Sequence, residues 1–375
     1  MKKEKEVTKR EAVELKSQSY KIKIFNWIKL IFFIYIFILS IELIKKSSLF
    51  LASDLKQILL SNFGIVKAIC VGWFSTAIVQ SSGAIGSITA TFAGNGIITL
   101  QTAVYILIGS SIGATMTALI ISLIVHSRKK RDFRHGFEIG FAYTVYVVFL
   151  LVVVIILESL FGFFSKISFF IASKIHAGDF LLKIPDLTKI ITDSVINLFF
   201  QNTNKILLLI IGFIILILTL RYIGKAIIDV LGGEHKTRKF IDKNFKSKYR
   251  SYLIGFILTA IVFSSGITIG LLVPLAVSRV INLKKTIPFI LGAKLGTGTD
   301  ILLAALFIGK VNALACAIAF FLFAVIGTII FLPNTNLIFK TTKYLSKKVM
   351  HISRKKAILV LLVLILIPLL LLLIL

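Results

Sequence analysis

The sequence predicts an all-α polytopic membrane protein that contains two inverted-topology repeats, each with a re-entrant helical hairpin. Three observations predict this fold. The chain is far more apolar than a soluble protein, one stretch of sequence occurs twice, and the basic residues fall in short runs between apolar segments.

Composition indicates a membrane protein. Hydrophobic residues make up 57% of the chain and charged residues 16%, whereas soluble domains carry roughly 25% charged residues. The net charge of +28 raises the alternative of a nucleic-acid partner. Lys and Arg, however, lie between apolar segments, as the positive-inside rule expects of cytoplasmic loops. We therefore expect contact with membrane lipids and no nucleic acid. Cys70 and Cys316 both lie in apolar segments, so neither a disulfide framework nor a transition-metal site is predicted.

The duplication is centred on a polar break in an apolar helix. Residues 74–124 and 257–307 align without a gap at a constant offset of 183, with 14 identities in 51 positions. The two breaks are Gln80-Ser81-Ser82-Gly83 and Phe263-Ser264-Ser265-Gly266. In lipid, irregular backbone persists only where it is buried in protein or lines a wet cavity. Paired interruptions in the two halves of a chain are typical of a transporter binding site.

A second small-polar motif follows each break. The two motifs are Gly109-Ser110-Ser111-Ile112-Gly113-Ala114-Thr115-Met116-Thr117 and Gly292-Ala293-Lys294-Leu295-Gly296-Thr297-Gly298-Thr299-Asp300. A broken helix exposes N–H groups that hold an anion, whereas its free carbonyls and nearby hydroxyls suit a hard cation such as sodium. The alternative is that small residues simply let helices pack closely. The duplication of both motifs favours a binding site.

Apolar segments and basic runs predict the order of elements. We expect a cytoplasmic tail at 1–23, a first transmembrane helix at 24–44, a first transport repeat at 45–158, a connecting segment with a transmembrane helix at 159–224, a basic cytoplasmic loop at 225–250, a second transport repeat at 251–335, and a basic loop with a C-terminal transmembrane helix at 340–375. The amphipathic pieces Ile167–Ile175 and Leu187–Phe200 fit either interfacial helices or scaffold.

The basic runs also set the orientation. With these runs and the N-terminus in the cytoplasm, the first copy is entered from outside and the second from inside. This holds if each Ser-Ser-Gly segment is a hairpin that returns to its own side. Homologous units in opposite orientation are the architecture of secondary transporters, and we expect a multi-pass protein of the cell membrane.

The motifs resemble those of the sodium/phosphate cotransporter family of type II. Each half of that family carries a Gln-Ser-Ser-Ser tip followed by a Gly-Ala-Asn-Ile-Gly-Thr-Thr-like segment, and the resemblance covers about residues 45–335. It implies an inverted-repeat fold with re-entrant hairpins and sodium-driven uptake of inorganic phosphate. Many bacterial members carry a soluble regulatory domain at the C-terminus. This sequence ends in an apolar segment, so we expect a divergent member without that domain.

The site residues follow from the motifs and the resemblance. We expect the anion at Gln80, Ser81, Ser82, Gly83, Ser264, Ser265, Gly266 and Lys294. We expect no cofactor. We expect sodium as the coupling ion, bound at Ser111, Thr115, Thr117, Thr297, Thr299 and Asp300.

The chain departs from the family pattern at several of these positions. Phe263 replaces the second-half Gln, and glycine replaces the third Ser in both tips. Ser111 and Lys294 stand where the family has Asn. A lysine within a membrane segment is a functional hypothesis by default. Its amine either replaces a sodium ion and neutralises the anion permanently, or it pairs with Asp300 or snorkels to an interface.

Two alternatives to sodium-coupled phosphate transport stay open. The first is transport of another small anion without sodium coupling. The second is a transport-inactive membrane sensor or partner protein, which the loss of the second Gln favours. An enzyme is not predicted, since no nucleophile–base set or phosphate-cradling loop is present. A homodimer is compatible with the sequence, which does not require one, and stoichiometry and direction are not set by it.

Overall fold

The computed structural model describes residues 2–51, 64–124, 130–176, 192–197, 203–230, 247–350 and 354–374, with isolated positions between 233 and 245. All regular structure in these residues is helical, which confirms the all-α prediction. Most of the amphipathic piece Leu187–Phe200 and most of the basic loop after residue 230 lie outside the described residues. The other amphipathic piece, Ile167–Ile175, lies within a helix.

The principal helices, in chain order, are α1 (Lys2–Phe50), α2 (Ile65–Val79), α3 (Ser82–Gly94), α4 (Leu100–Gly113), α5 (Thr115–Ile124), α6 (Lys130–Phe161), α7 (Phe163–His176), α8 (Lys205–Val230), α9 (Lys248–Val262), α10 (Ser265–Gly270), α11 (Leu272–Val277), α12 (Leu283–Gly296), α13 (Gly298–Ile308), α14 (Val311–Phe331), α15 (Thr335–Met350) and α16 (Arg354–Ile374).

Several helices are suited to a bilayer. Among the described residues, five segments are long and apolar enough to cross a membrane: Ile24–Phe50, Leu100–Leu123, Phe133–Phe161, Leu283–Ile308 and Val311–Phe331. Shorter apolar helices cover Ile65–Val79, Lys205–Leu220, Ser265–Val277 and Ile358–Ile374. The chain is therefore a multi-pass membrane protein, as its composition predicts. The transmembrane helices expected within 159–224 and 340–375 correspond to two of these shorter helices, Lys205–Leu220 and Ile358–Ile374.

The sequence duplication is also a duplication of helices. The bounds of α2 plus 183 are 248 and 262, which are the bounds of α9. The bounds of α4 plus 183 are 283 and 296, which are the bounds of α12. Helices α10 and α11 together cover 265–277, which corresponds to α3 at 82–94. The two halves therefore share one local fold.

Spaced glycines hold the first helix of each half against the third. A Cβ atom at Gly72 would lie 1.9 Å from the carbonyl oxygen of Ile106, and one at Gly255 would lie 2.2 Å from that of Phe289. Only glycine allows backbones this close. The packing interpretation of small residues is thus correct for α2 against α4 and for α9 against α12. These rigid pairs present the breaks that follow α2 and α9.

The halves pack against each other through the helices that follow the breaks. Helix α3 packs on α13 and α14, while α10 packs on α5 and α11 packs on α6. One continuous cluster of buried apolar side chains includes residues from all of these helices. This packing of one half on the other brings the two breaks together.

Candidate functional site

Each helix break is made by two residues with the same backbone conformation in both halves. Gln80 ends α2 with φ 57°, and Phe263 ends α9 with φ 59°. A positive φ is uncommon for residues other than glycine. The next residues, Ser81 and Ser264, have extended backbone and accept hydrogen bonds at Oγ from Ala84 N (3.1 Å) and Ile267 N (3.3 Å). Each serine therefore caps a new helix, α3 or α10, as an N-cap serine does.

The two breaks face each other across a small cavity, which we call the tip cavity. We call residues 80–83 the first tip and residues 263–266 the second tip. The ten lining residues are Gln80, Ser81, Ser82, Gly83, Ala114, Thr117, Phe263, Ser264, Ser265 and Gly266. About 10 Å³ is open to the centre of a water molecule, which is room for about one water. An anion the size of phosphate fits only if the tips separate.

The tip cavity offers donors to an anion. Helices α3 and α10 begin at this cavity, where the first N–H groups of a helix have no intrahelical carbonyl partner and the helix dipole is positive. Serine hydroxyls from both tips add further donors. None of the described residues that line the cavity is a lysine, an arginine or an acid. The chemistry therefore favours an anion held by neutral donors.

Two contacts fix the tips from outside. Thr117 Oγ1 donates to the carbonyl oxygen of Gln80 (3.3 Å), and the Tyr143 hydroxyl lies 3.1 Å from Ser265 Oγ. The sequence does not single out Tyr143, because it lies in an apolar span without a polar neighbour pattern. Ala114 also lines the tip cavity. It belongs to the second small-polar motif of the first half, but a methyl side chain does not indicate a binding role.

Seven of the eight residues predicted to hold the anion line the tip cavity, and Lys294 does not. Lys294 is fully buried, which excludes snorkelling to an interface. Its Nζ donates to Ser111 Oγ (2.7 Å) and lies 3.9 Å from the ring centroid of Phe320. Among the ion pairs of the described residues, none joins Lys294 to Asp300. A hydrogen bond and an aromatic face thus hold the amine.

Asp300 is a fully buried carboxylate beside the first tip. Oδ1 accepts from the backbone N of Ile301 (2.7 Å), while Oδ2 has no hydrogen-bond partner among the described residues. A Cβ atom at Gly83 would lie 1.3 Å from Oδ2. A buried carboxylate oxygen without a partner is costly unless a cation or a proton joins it. Asp300 is therefore the strongest candidate ligand for a hard cation near the tips.

The remaining predicted cation ligands are not gathered at one point. Thr117 lines the tip cavity. The hydroxyls of Ser111, Thr115, Thr297 and Thr299 donate to backbone carbonyls three or four residues earlier, at Leu107, Ile112, Ala293 and Gly296 respectively. Such bonds satisfy a hydroxyl buried in an apolar helix. The role of these residues in binding sodium stays a prediction.

The fold and the tips define a duplicated, helix-broken membrane protein, and comparison with known proteins gives its family. The sequence model of the Na+/Pi-cotransporter family matches residues 36–184 and 215–353, which is well over half of the chain. The chain belongs to this Na+/Pi-cotransporter family, which is a family of transporters and not of enzymes.

Individual relatives are distant. The chain is 23% identical over 404 residues to sodium-dependent phosphate transport protein 2A of Ovis aries, covering 84% of this chain and 62% of that protein. It is 23% identical over 402 residues to the protein of the same name from Rattus norvegicus, with the same coverage. It is 24% identical over 186 residues to sodium-dependent phosphate transport protein 2B of Pongo abelii, covering 48% of this chain and 26% of that protein. No solved structure matches the chain.

Proposed function

We propose that this chain is a secondary transporter that moves inorganic phosphate across the cell membrane, coupled to sodium. The observation that carries the proposal is the pair of Ser-Ser-Gly tips that face each other across one cavity. Phosphate is a compact anion with several acceptor oxygens, so it matches a site built from helix N-termini and hydroxyls. Family membership supports the same substrate, although the chain spans only 62% of the sheep relative.

The two halves are proposed to have inverted topology, with the N-terminus in the cytoplasm. The closest contacts of the two tip glycines correspond. A Cβ atom at Gly83 would touch Asp300, and one at Gly266 would touch Thr117, which is the equivalent of Asp300 at the offset of 183. This reciprocity supports a pseudo-twofold axis between the halves. The turn after α11 is basic and its equivalent after α3 is not, so the positive-inside rule puts the two turns on opposite sides.

Coupling follows from the position of Asp300. A charged carboxylate against the first tip repels phosphate, because both are anions in a low-dielectric site. A sodium ion on Oδ2 removes this repulsion and adds attraction. Phosphate therefore binds well only when the cation is present, which is the thermodynamic requirement for cotransport.

Phosphate binding also requires motion, because the tip cavity has room for about one water. We propose that the tips part to admit phosphate and close around it. The glycine at each tip lets α3 and α10 approach the opposite half closely. When the tips close, Gly83 again packs on Asp300 and Gly266 on Thr117. Tyr143 orients the second-tip serine through its hydroxyl bond.

A second candidate function is anion transport without sodium coupling. The observation that favours it is the buried Lys294 amine, which in its protonated form would supply a positive charge within the same motif as Asp300. A permanent cation reduces the need for a sodium ion to balance the bound anion. In this case the substrate is phosphate or another small anion.

Uptake of labelled phosphate into proteoliposomes tests the proposal. We expect uptake that an inward sodium gradient stimulates. Uptake that sodium does not affect would keep phosphate as substrate and favour the second candidate. Absence of both uptake and binding would contradict phosphate transport, and a competition series of anions against labelled phosphate would then identify another substrate or none.

A further inference from the structure

A large basic cavity lies apart from the tips. We call it the basic cavity; its volume is about 520 Å³. Its lining residues are His135, Ala276, Arg279, Ile281, Asn282, Leu283, Lys284, Lys285, Phe339 and Lys343. Five of them carry basic side chains, and none of them is acidic. The proposed transport function assigns no role to this cavity.

The basic side chains come from two parts of the fold. Arg279, Lys284 and Lys285 belong to the turn between α11 and α12 and to the first turn of α12. Lys343 comes from α15 and His135 from α6. This turn directly follows α10 and α11, the helices after the second tip. The cavity therefore lies between the second hairpin and helices α6 and α15.

Lys343 pairs with a buried carboxylate, Glu138, that is not among the lining residues. Glu138 is fully buried in α6 and accepts hydrogen bonds from Lys343 Nζ (2.5 Å), Arg134 Nε (3.0 Å) and Ser346 Oγ (3.2 Å). His135 Nδ1 lies 3.7 Å from the same carboxylate. The Glu138 carboxylate therefore interacts with several basic side chains. No carboxylate among the described residues pairs with Lys284 or Lys285, and the described residues that line the cavity include no acid.

The first half contains the same turn without the charges. Gly96 has φ 69° and Arg279, its equivalent at the offset of 183, has φ 61°. Thr99 caps α4 through Thr102 N, as Asn282 caps α12 through Lys285 N. The backbone bonds of the two turns also correspond, from Gly96 N to Ala93 O and from Arg279 N to Ala276 O.

The comparison shows that folding does not require basic residues in this turn. Gly96, Gln101 and Thr102 occupy the positions of Arg279, Lys284 and Lys285. An arginine is less favourable than a glycine at a positive φ. Lysines in the first turn of a helix oppose its dipole, whereas an anion there is stabilised. An anion in the cavity would offset the effect of Lys284 and Lys285 on the helix dipole, because it would lie at the N-terminus of α12.

We propose that the basic cavity binds a phosphate-bearing anion, either the headgroup of an acidic phospholipid or free phosphate. Bound there, the anion bridges Arg279 and Lys285 on the hairpin side to Lys343 on α15. It thereby ties the base of the second hairpin to the surrounding helices. Binding at this cavity does not depend on the chain being a phosphate transporter.

The test uses the full chain in nanodiscs and a variant copied from the first half. Arg279→Gly, Lys284→Gln and Lys285→Thr together give the turn the residues of its equivalent, so the variant is expected to fold. A control variant removes the same number of charges outside the cavity, at Lys340→Gln, Lys347→Gln and Lys348→Gln. Each protein is measured in phosphatidylcholine with and without phosphatidylglycerol, by thermal unfolding and by retention of labelled phosphatidylglycerol.

We expect phosphatidylglycerol to raise the Tm of the wild type and of the control variant. The turn variant is expected to bind it at least about tenfold more weakly, because each basic residue near a bilayer contributes to attraction of acidic lipid. Equal losses in the turn and control variants would overturn the proposal, since general surface charge would then explain binding. So would equal binding in the turn variant and the wild type.

A second arm separates the two sources of phosphate. Inorganic phosphate is added in phosphatidylcholine nanodiscs to chains that also carry Ser81→Ala and Ser265→Ala, which weakens the tip cavity. Stabilisation that the turn substitutions abolish would assign free phosphate to the basic cavity. Stabilisation by phosphatidylglycerol alone would assign the lipid headgroup. Stabilisation by neither probe would overturn the proposal and leave the transport proposal untouched.

Discussion

Lys294 donates a hydrogen bond to Ser111, the residue at its own position in the other half of the chain. Residues that are equivalent under a pseudo-twofold axis touch each other only when both lie close to that axis. Under the pseudo-twofold symmetry proposed above, this contact and the Lys294 amine would lie beside the axis.

Substitution of Lys294 tests whether its amine replaces a sodium ion. Lys294→Asn gives the position the amide that the family has there. We expect phosphate uptake to become more dependent on sodium, because a fixed charge has been removed from the site. Uptake is measured over a range of sodium concentrations at constant ionic strength. Lys310→Asn, at an exposed lysine, is the matched control, and an unchanged sodium dependence in Lys294→Asn would contradict the fixed-cation hypothesis.

Asp300 is expected to bind the coupling cation. Asp300→Asn keeps the shape of the side chain and removes its charge. We expect the sodium concentration for half-maximal uptake to rise about tenfold or more, equivalent to about 1.4 kcal/mol of lost binding free energy. Asp229→Asn, at an exposed aspartate that pairs with Lys29 at 3.4 Å, is the control. Equal sodium dependence in both variants and the wild type would remove Asp300 from the cation site.

The tip serines are expected to be needed for transport more than for folding. Ser81→Ala removes an N-cap bond, which costs about 0.5–2 kcal/mol, and also a donor to the anion. Ser265→Ala removes a donor and the bond to Tyr143. We expect both variants to reach the membrane in normal amounts and to transport phosphate poorly. Tyr143→Phe separates the two roles of Ser265, since it breaks the same bond and keeps the serine. Unchanged kinetics in both serine variants would favour simple packing.

Gly83 is expected to tolerate no side chain while Asp300 is present. Gly83→Ala places a methyl group on Asp300 Oδ2, and overpacking of this kind typically costs about 1–3 kcal/mol. We expect a lower Tm in detergent, and partial recovery when Asp300→Gly is added. Gly64→Ala is the control, since no atom lies within 4 Å of a Cβ atom at that position. A Gly83→Ala protein as stable as the wild type would show that the first tip is not packed as described.

The duplication and the two helix breaks could be predicted from residue patterns along the chain. The offset of 183, the two breaks and the second motifs could all be read from residue types, because small polar residues inside apolar helices are rare without a reason. Seven of the eight residues predicted to hold the anion lie around one cavity. The inverted orientation and the roles of these residues stay predictions.

The partners of Lys294 and Asp300 could not be predicted in the same way. Ser111 lies on α4 and Phe320 on α14, and neither has a sequence spacing to Lys294 that a helix would bring into contact. Asp300 meets Gly83 through packing of one half on the other. Contacts of this kind depend on how the two halves associate, which residue patterns within one half do not specify. The left-handed backbone of Gln80 and Phe263 was equally unforeseen, because neither residue type favours it.

The small size of the tip cavity has a consequence for the resting membrane. A cavity with room for about one water cannot hold a continuous column of solvent. We therefore expect protein that is not carrying substrate to preserve ion gradients rather than dissipate them. If the facing tips close the transport path in this way, any variant that widens them is expected to make liposomes leaky to sodium even when phosphate is absent.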